Sequence, residues 1–392
     1  MTMHTAEQHG LKSHSDGGWD FSKPVQTRSE RFSSTNVSDF PEVTGREPSW
    51  KFAPINKFRA LFEDQLDGSK YNFEVTETSG VSTGWVARDS KSIGRIGVPE
   101  ERASANAWTN FEEALHIEFS DESSKTVILT RSELGKTARA AHTVIEAKAH
   151  SQGLLILQNE GDANITENVE IIVNEGANLT VVSVQEWNDS AVHLSSHFAT
   201  VGKDAKLTHI VVSLGGEVVR LNPSVHLDNE GSETDMFGAY FADAGQHIEQ
   251  QVFMDHAAPN TKGRVTYKGA LQGEGARTVW IGDVLIRRNA SGTDSYEQNR
   301  NLVLSPGTRA DSIPNLEIET GDIAGAGHAS TTGRFDEEHI FYLQSRGISA
   351  AEARKLVVRG FLVEVIKQIG NEELEERLQS TIESELEQSG IA

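Results

Sequence analysis

Short apolar runs separated by turns make up the middle of the chain. Between about residues 125 and 320 these runs are rich in β-branched residues and are flanked by Gly, Asn or Asp. No amphipathic helix pattern interrupts them, which excludes Rossmann and TIM-barrel layouts, because both need a helix between strands. We predict strands at the following runs: Thr126–Thr130, Leu154–Gln158, Val169–Val173, Leu179–Val184, Leu207–Ser213, Val252–Met254, Thr278–Ile281 and Leu316–Ile318.

The runs recur at a nearly constant spacing. Residues 175–182 resemble residues 203–210, with Ala177 of the first copy matched to Ala205 of the second. Ser232 holds the corresponding position of the next copy, after a step that is almost the same. A period in the twenties is typical of a solenoid, and a solenoid of strands without helices is a β-helix. A β-sandwich with similar turns is the alternative, although a sandwich of this length would be unusual.

Polar and helical segments flank the strands. Residues 1–40 are rich in Ser, His, Gly and Thr, and we expect them to be disordered. Phe58, Leu61 and Leu66 recur at helical spacing, with Pro54 placed to open a helix. The predicted organisation is a disordered N-terminus (1–40), a helical and mixed N-terminal domain (41–120), a β-helix core (121–334) and a C-terminal helical domain (335–392).

The period of the apolar residues becomes helical after residue 335. Asp336 can cap a first helix, which Gly347 closes. Ser349 and Glu352 fit a capping box at the start of a second helix, and Gly370 marks its end. Within a glutamate-rich sequence, a third helix carries an apolar seam that we expect to pack on a neighbour: Leu374, Leu378, Ile382 and Leu386. Such a helix pair can also dock a partner.

The charge and the missing cysteine exclude several functions. The chain has 392 residues, of which 58 are acidic and 36 basic, so its formal charge is −22, and it has no Cys. It therefore has no disulfide and no thiolate ligand, and any metal must be bound by His, Asp or Glu. The acidic balance disfavours binding to nucleic acid or to an anionic membrane. We find no transmembrane stretch or signal peptide and predict a soluble cytoplasmic protein.

Few residues form a recognisable catalytic motif. Lys136 and Thr137 resemble the end of a Walker A motif, but Thr130 stands where that motif needs glycine. The chain is therefore not predicted to be a P-loop ATPase. Asp283 with Arg287 and Arg288 would suit an acidic-sugar lyase built on a β-helix, although such enzymes are usually secreted.

One histidine stands in an unusual context. His328 lies within Gly-Ala-Gly-His-Ala-Ser-Thr-Thr-Gly, at the junction of the strand region and the helical tail. Small residues on both sides allow another backbone or a ligand to approach closely. From spacing alone, a histidine that binds a loop carbonyl is a simpler interpretation than a metal ligand.

Two ends of the chain resemble a known family. Phe335–Ile348, Ala351–Val357 and Arg359–Val365 resemble the C-terminal signature of the SufB/SufD family, and Glu47–Phe52 resembles its N-terminal element. The resemblance implies a right-handed parallel β-helix between helical N- and C-terminal parts. It also implies a scaffold subunit of the SufBCD complex, which assembles iron–sulfur clusters, with the ABC-type ATPase SufC docked on the C-terminal helices.

The absence of cysteine points to one branch of that family. A chain without Cys cannot supply the thiolate of a SufB, so this chain resembles SufD. The resemblance makes His328 a candidate iron or cluster ligand at the SufB interface, and neutral imidazole is a suitable ligand for iron. It further implies that an iron–sulfur cluster is bound transiently and shared with SufB, with no permanently bound cofactor.

The resemblance also implies partners. These are a SufB-type scaffold subunit and a SufC-type ATPase, and the chain could pair with itself in isolation. The chain itself would be non-catalytic, because ATP hydrolysis belongs to SufC. The candidate SufC-docking residues are Tyr342, Arg346, Gly347, Glu352, Arg354, Arg359 and Phe361. The alternatives are a β-helix carbohydrate-active enzyme and a purely structural adaptor in which His328 binds no metal.

Overall fold

Two nine-stranded sheets dominate the computed structural model, which describes residues 31–63, 65–334 and 337–388. In spatial order, sheet one contains β1 (Glu74–Val75), β4 (Lys125–Arg131), β6 (Gln152–Gly161), β8 (Asn178–Trp187), β10 (Lys206–Ser213), β12 (Glu233–Ala242), β14 (Lys262–Leu271), β16 (Thr293–Val303) and β18 (Ile323–Arg334). Sheet two contains β17 (Arg309–Ile318), β15 (Arg277–Ile286), β13 (His247–His256), β11 (Val218–Leu227), β9 (Val192–Val201), β7 (Asn164–Val173), β5 (Arg139–Ala147), β3 (Glu113–Phe119) and β2 (Val81–Ala87).

The helices lie towards the two ends of the chain. They are α1 (Arg102–Asn110), α2 (Glu337–Ser345), α3 (Ala350–Ile366) and α4 (Glu372–Gln388). None of the helices in the described ranges is both long and apolar enough to cross a membrane.

The chain alternates between the two sheets, so each pair of consecutive strands makes one turn of a solenoid. Asn178 of β8 pairs in parallel with Lys206 of β10, and Lys206 pairs with Glu233 of β12. The step from Asn178 to Lys206 equals the step from Ala177 to Ala205, so one sequence repeat is one turn. The β-solenoid prediction is therefore confirmed, and all the predicted runs lie within strands.

Both faces of the sheets are covered along most of the solenoid, up to the last turn. The inner faces meet in one core that runs along the solenoid, with residues such as Ile117, Val181, Leu207 and Val265 stacked turn upon turn. The outer face of sheet one is covered by α3 and α4. The outer face of sheet two is covered by α1 and by the segment that contains Trp50, Phe58 and Leu61. Burial on two faces explains why the strands read as continuous apolar runs.

The C-terminal helices begin and end largely as predicted. The Ser349 hydroxyl accepts a hydrogen bond from the Glu352 backbone N–H at 3.2 Å, and Gly347 and Gly370 adopt left-handed conformations beyond the helix ends. All residues of the predicted apolar seam of α4 are buried: Leu374, Leu378, Ile382 and Leu386. Asp336, predicted as a helix cap, lies outside the described residues.

The N-terminal region differs from the prediction. Instead of an α-helix through Phe58, Leu61 and Leu66, it forms the 3₁₀ turns Ile55–Lys57 and Arg59–Phe62. Phe58 breaks the helix between them, with φ −131° and ψ 24°. Residues 1–30 lie outside the described part. Val37 and Phe40, within the segment expected to be disordered, are buried.

Charged side chains inside the first turns of the solenoid are paired. The Arg131 guanidinium donates hydrogen bonds of 2.6 and 3.0 Å to the Glu167 carboxylate, which also binds His193 at 2.7 Å. Burial opposes ionisation of Glu167, but these partners hold its pKa well below the usual range. His197 Nδ1 and His209 Nε2 lie 2.9 Å apart and are buried.

We predict that His209 makes the fold sensitive to acid. Burial lowers its pKa from 6.5 to about 4, so the unfolded chain takes up a proton between these values and the folded chain does not. Stability should therefore fall as the pH drops from about 6.5 to 4, by up to about 3 kcal/mol from this group. Urea unfolding at a series of pH values gives the unfolding free energy as a function of pH. His209→Asn should reduce the slope of this plot between about pH 4 and 6.5 by the equivalent of close to one proton.

The exposed His150 supplies the control for this measurement. His150 has a left-handed conformation, with φ 64°, that asparagine also tolerates. His150→Asn should leave the slope unchanged. An equal effect of the two substitutions would contradict the assignment to His209.

Candidate functional site

The two ends of the solenoid differ. At its start, the antiparallel strands β1 and β2 close the edges of the two sheets. At its finish, β17 and β18 are edge strands, and no further strand of the described chain pairs with them. Ile318 is 44% exposed, although Ile286, its partner one turn earlier, is fully buried. The last turn therefore presents interior-facing side chains and open backbone edges, which proteins rarely leave uncovered.

A β-bulge determines which side chains reach this end. Thr293 of β16 pairs with Ile323 of β18, but the next residue, Asp294, pairs with Gly325. The extra residue on β18 moves the register by one and places His328, rather than Gly327, opposite Glu297. Because successive side chains in a strand point to opposite faces, this shift turns His328 towards the interior face.

Polar residues line the last two turns. The inward row of β16 consists of Thr293, Ser295, Glu297, Asn299 and Asn301, and all five are buried. His256 Nε2 lies 3.1 Å from the Ser295 hydroxyl. A continuous polar row of this kind differs from the earlier strands, whose inward rows include many apolar side chains such as Leu155, Val181 and Leu207.

A chain of hydrogen bonds continues from this row to the open end. The Asn301 amide donates to Asn299 Oδ1 at 2.7 Å, and the Ser312 hydroxyl donates to the same oxygen at 2.7 Å. The Ser330 hydroxyl then donates to Ser312 at 2.8 Å. The polar interior is thus continuous with the exposed end face.

Glu297 and His328 are neighbours within this polar region. His328 Nδ1 lies 3.8 Å from Glu297 Oε1, which is too long for a hydrogen bond. The His328 side chain is 45% exposed, whereas the Glu297 side chain is fully buried. Burial, and secondly the charge of Asp283, raises the pKa of Glu297 to about 8. The pair combines a solvent-facing imidazole with a desolvated carboxyl group.

His328 does not act as a loop cap within the described chain. Its only contact of ionic type there is the one to Glu297, and no backbone carbonyl of the described residues accepts from it. One ring nitrogen faces the buried carboxyl group and the ring itself is accessible from the open end. The side chain is therefore placed to accept a ligand or a partner residue.

The predicted docking residues lie on α2, on α3 and in the loop between them. Most are exposed: Tyr342, Arg346, Gly347, Glu352, Arg354 and Arg359. Phe361 is half-buried beneath the ammonium group of Lys268, which lies 5.0 Å from the ring centroid. Phe341 and Tyr342 are 72% and 57% exposed, so α2 presents two large aromatic side chains to solvent.

The cluster proposed for a sugar lyase is not assembled. The Arg287 guanidinium binds Asp255 at 2.7 and 2.8 Å. Asp283 instead accepts a hydrogen bond of 2.8 Å from the Asn315 amide. Among the other histidines on the strands, His209, His247 and His256 are buried and hydrogen-bonded to neighbouring side chains, and the side chain of His226 is 30% exposed beside Asp255.

Sequence analysis missed Glu297. The sequence contained a signal for this pairing. His328 follows Glu297 after close to one turn of the repeat, and residues one turn apart lie opposite each other on neighbouring strands. Glu297 also lies in a strand whose alternate residues are polar on the buried face, which is unusual for a strand interior. The step from Glu297 to His328 is longer than the step from Ala177 to Ala205, so the match could not be read without the observed register.

Fold and site together define a solenoid scaffold with one open, polar end. Residues 128–361 match the family model described as "SUF system FeS cluster assembly, SufBD core domain". The chain belongs to this SufBD family of iron–sulfur cluster assembly proteins.

Curated relatives agree with the family model. The chain is 44% identical over 373 residues to the iron-sulfur cluster assembly SufBD family protein Rv1462 of Mycobacterium tuberculosis, covering 93% of this chain and 94% of that protein. It is 43% identical over 365 residues to ML0594 of Mycobacterium leprae, covering 91% and 93%. A second M. leprae member, ML0593, is 31% identical over 201 residues, which cover 51% of this chain and 23% of that protein.

We predict that Glu297 destabilises the free protein. Its carboxylate oxygens are buried without a hydrogen-bond partner, and an unpartnered buried polar group costs about 1–3 kcal/mol. Glu297→Met keeps the length of the side chain and removes this cost. Chemical denaturation should show an unfolding free energy that is higher by about 1–2 kcal/mol.

The matched control is Glu167→Met. Glu167 is equally buried but paired with Arg131, and breaking such a pair costs roughly 3–5 kcal/mol because it strands a charge. The two substitutions should therefore have opposite signs. A loss of stability in Glu297→Met would show that this carboxyl group has a stabilising partner.

Proposed function

We propose that the chain is a SufD-like, non-catalytic scaffold subunit of a SufBCD-type complex. In this role it pairs with a SufB-type subunit and docks a SufC-type ATPase. The observation that carries the proposal is the open end of the solenoid, where His328 projects from an uncovered last turn. The missing Walker A motif and the missing cysteine agree with a subunit that supplies neither ATP hydrolysis nor a thiolate.

The open end suits pairing with a second solenoid. Edge strands β17 and β18 offer unpaired backbone groups, and Ile318 offers apolar surface. M. leprae has two different SufBD family proteins that resemble this chain. One is similar along nearly the whole chain and the other over about half of it, which supports a pair of unlike subunits. A partner of the second type would cover the end face. Self-pairing of the isolated chain through the same face remains part of the proposal.

The helical tail suits ATPase docking. Phe341 and Tyr342 are both exposed on α2, and the Arg346 guanidinium lies 5.2 Å from the Tyr342 ring centroid. We call the exposed surface around Tyr342 and Arg346 the aromatic patch. Aromatic and arginine side chains are the residues most enriched at the centres of protein interfaces. The tail packs on the outer face of sheet one, so a force applied to it would reach the solenoid directly.

The transient cluster would be held between subunits. His328 supplies a nitrogen ligand, and a partner subunit supplies the sulfur ligands that this chain lacks. The cluster is the product of the complex, so no iron–sulfur centre is permanently bound. A cytoplasmic location agrees with these partners and stays a prediction.

Two surface substitutions should separate the partners. Ile318→Asp places a charge in the end face, and Tyr342→Asp places one in the aromatic patch. After co-expression with the SufB- and SufC-type proteins of the same organism and anaerobic purification, Ile318→Asp should lose SufB and Tyr342→Asp should lose SufC. Each variant should keep the other contact. Failure of the unaltered chain to retain either protein would overturn the proposed function.

His328→Ala should lower the cluster content of the complex. The purified complex should retain all its subunits, because His328 is one exposed residue of a broad face, but its visible iron–sulfur absorption should fall several-fold. His226→Ala is the matched control, since His226 is also partly exposed and lies 3.2 Å from a carboxylate, that of Asp255. Unchanged absorption in His328→Ala would favour the structural adaptor instead.

A further inference from the structure

Glu297 is an exception among the buried glutamates. Glu167, Glu170 and Glu249 each bind an imidazole or a guanidinium at hydrogen-bond distance. Among the described residues, Glu297 is the one buried glutamate for which neither carboxylate oxygen has a partner. Its neighbours on the inward row, Ser295 and Asn299, are both hydrogen-bonded. Burying a carboxyl group without hydrogen-bond partners lowers the stability of the fold. Its presence therefore suggests that Glu297 has a function other than stabilising the fold.

The space around Glu297 is shaped to keep the carboxyl group in place. Gly282 lies beside it, and a Cβ atom at that position would collide with Glu297 Oε2 and with the Trp280 ring. Val265 packs beneath Glu297 on the preceding turn, and His328 lies above it on the following turn. Apart from the carboxylate of Asp283, whose charge acts on it, the Glu297 carboxyl group has the apolar neighbours Val265 and Trp280 inside the solenoid and the His328 imidazole on the side of the open end.

The separation between the two groups fits a shared metal ion. Nitrogen and oxygen ligands lie about 2.0–2.2 Å from a tetrahedral metal, so two of them are about 3.4 Å from each other. His328 Nδ1 and Glu297 Oε1 are 3.8 Å apart, and a side-chain adjustment of a few tenths of an ångström would close the gap. One imidazole and one carboxylate are a ligand set that suits divalent iron, and the exposed side of His328 leaves positions for further ligands.

We propose that Glu297 and His328 form a half-site that binds a divalent transition-metal ion, with Glu297 as a direct ligand. That ferrous iron is the natural ion rests on the proposed function. That Glu297 and His328 are the ligands rests on their positions and separation. The chain supplies two ligands, and water or a partner subunit at the open end supplies the others. The buried carboxylate would provide a negatively charged ligand in a position that the solvent does not reach.

A second carboxylate cluster offers a competing site. His116, Glu118 and Glu146 have ligand atoms within 4.8 Å of one another. However, Lys148 binds Glu118 at 3.0 Å and Glu146 at 3.2 Å, and these carboxylates are already neutralised. We therefore expect little metal affinity there, and Glu118→Gln serves as a control for that cluster.

Anaerobic titration of the full chain with Co²⁺, a spectroscopic substitute for Fe²⁺, tests the half-site. Ligand-field absorption and calorimetry should detect one ion more than in the Glu297→Gln/His328→Ala double variant, and Glu297→Gln and His328→Ala should each weaken binding of that ion by roughly tenfold or more. Glu297→Asp, which keeps a carboxylate with a shorter reach, should retain part of the affinity. Glu118→Gln and His226→Asn should bind as the unaltered chain does. The histidines near the N-terminus are present in every variant, so their contribution cancels.

Two results would overturn the inference. One is a Glu297→Gln variant that binds Co²⁺ as tightly as the unaltered chain, and the other is an unaltered chain that binds no more than the Glu297→Gln/His328→Ala double variant. Circular dichroism on each variant checks that the fold is kept. Co-purification of Glu297→Gln with the SufB- and SufC-type proteins, run in parallel, tests the proposed function separately from the metal half-site. Normal complex formation with unaffected Co²⁺ binding would reject the half-site and leave the proposed function standing.

Discussion

The parallel pairing of each strand with the strand one turn later governs the rest of this structure. Backbone hydrogen bonds tie Lys206 to Glu233 and Glu233 to Lys262, so a residue stacks on its counterpart one turn away. Such stacking can repeat only if consecutive turns carry compatible side chains at the same position. The apolar rows of the core, the paired charges and the position of His328 over Glu297 all follow from this one constraint.

A solenoid built in this way has two ends, and at each end the last strands have backbone groups that no further turn pairs with. Here the start is closed by antiparallel strands, and the finish leaves β17 and β18 open. The interior changes character towards that open end, where the inward row of β16 is polar at Ser295, Glu297 and Asn299. An apolar interior exposed at an end would aggregate, whereas a polar one remains soluble until a partner covers it. The polarity of the last turns is therefore consistent with an interface rather than with a simple terminus.

Buried charges serve different purposes along the same solenoid. Near the start, the Arg131 guanidinium neutralises Glu167, which is also hydrogen-bonded to His193. Near the finish, Glu297 has no such partner, and its cost to the fold is tolerated. Sites that bind ligands are often locally unfavourable before the ligand arrives, because the polar groups that will hold it cannot satisfy each other.

The sequence by itself determined the solenoid, its period, the C-terminal helices and the family resemblance, because these depend on local patterns such as the repeat from Ala177 to Ala205 and the capping box at Ser349. It also singled out His328 from its small neighbours. Only the tertiary structure decided what lies next to His328. The turns lengthen near the open end and one β-bulge shifts the register, so a local pattern cannot tell whether Gly327 or His328 meets Glu297. The same holds for residues 55–62, where packing among Trp50, Phe58 and Phe62 replaced a regular helix by 3₁₀ turns. Contacts between turns depend on register, and register is a property of the whole sheet.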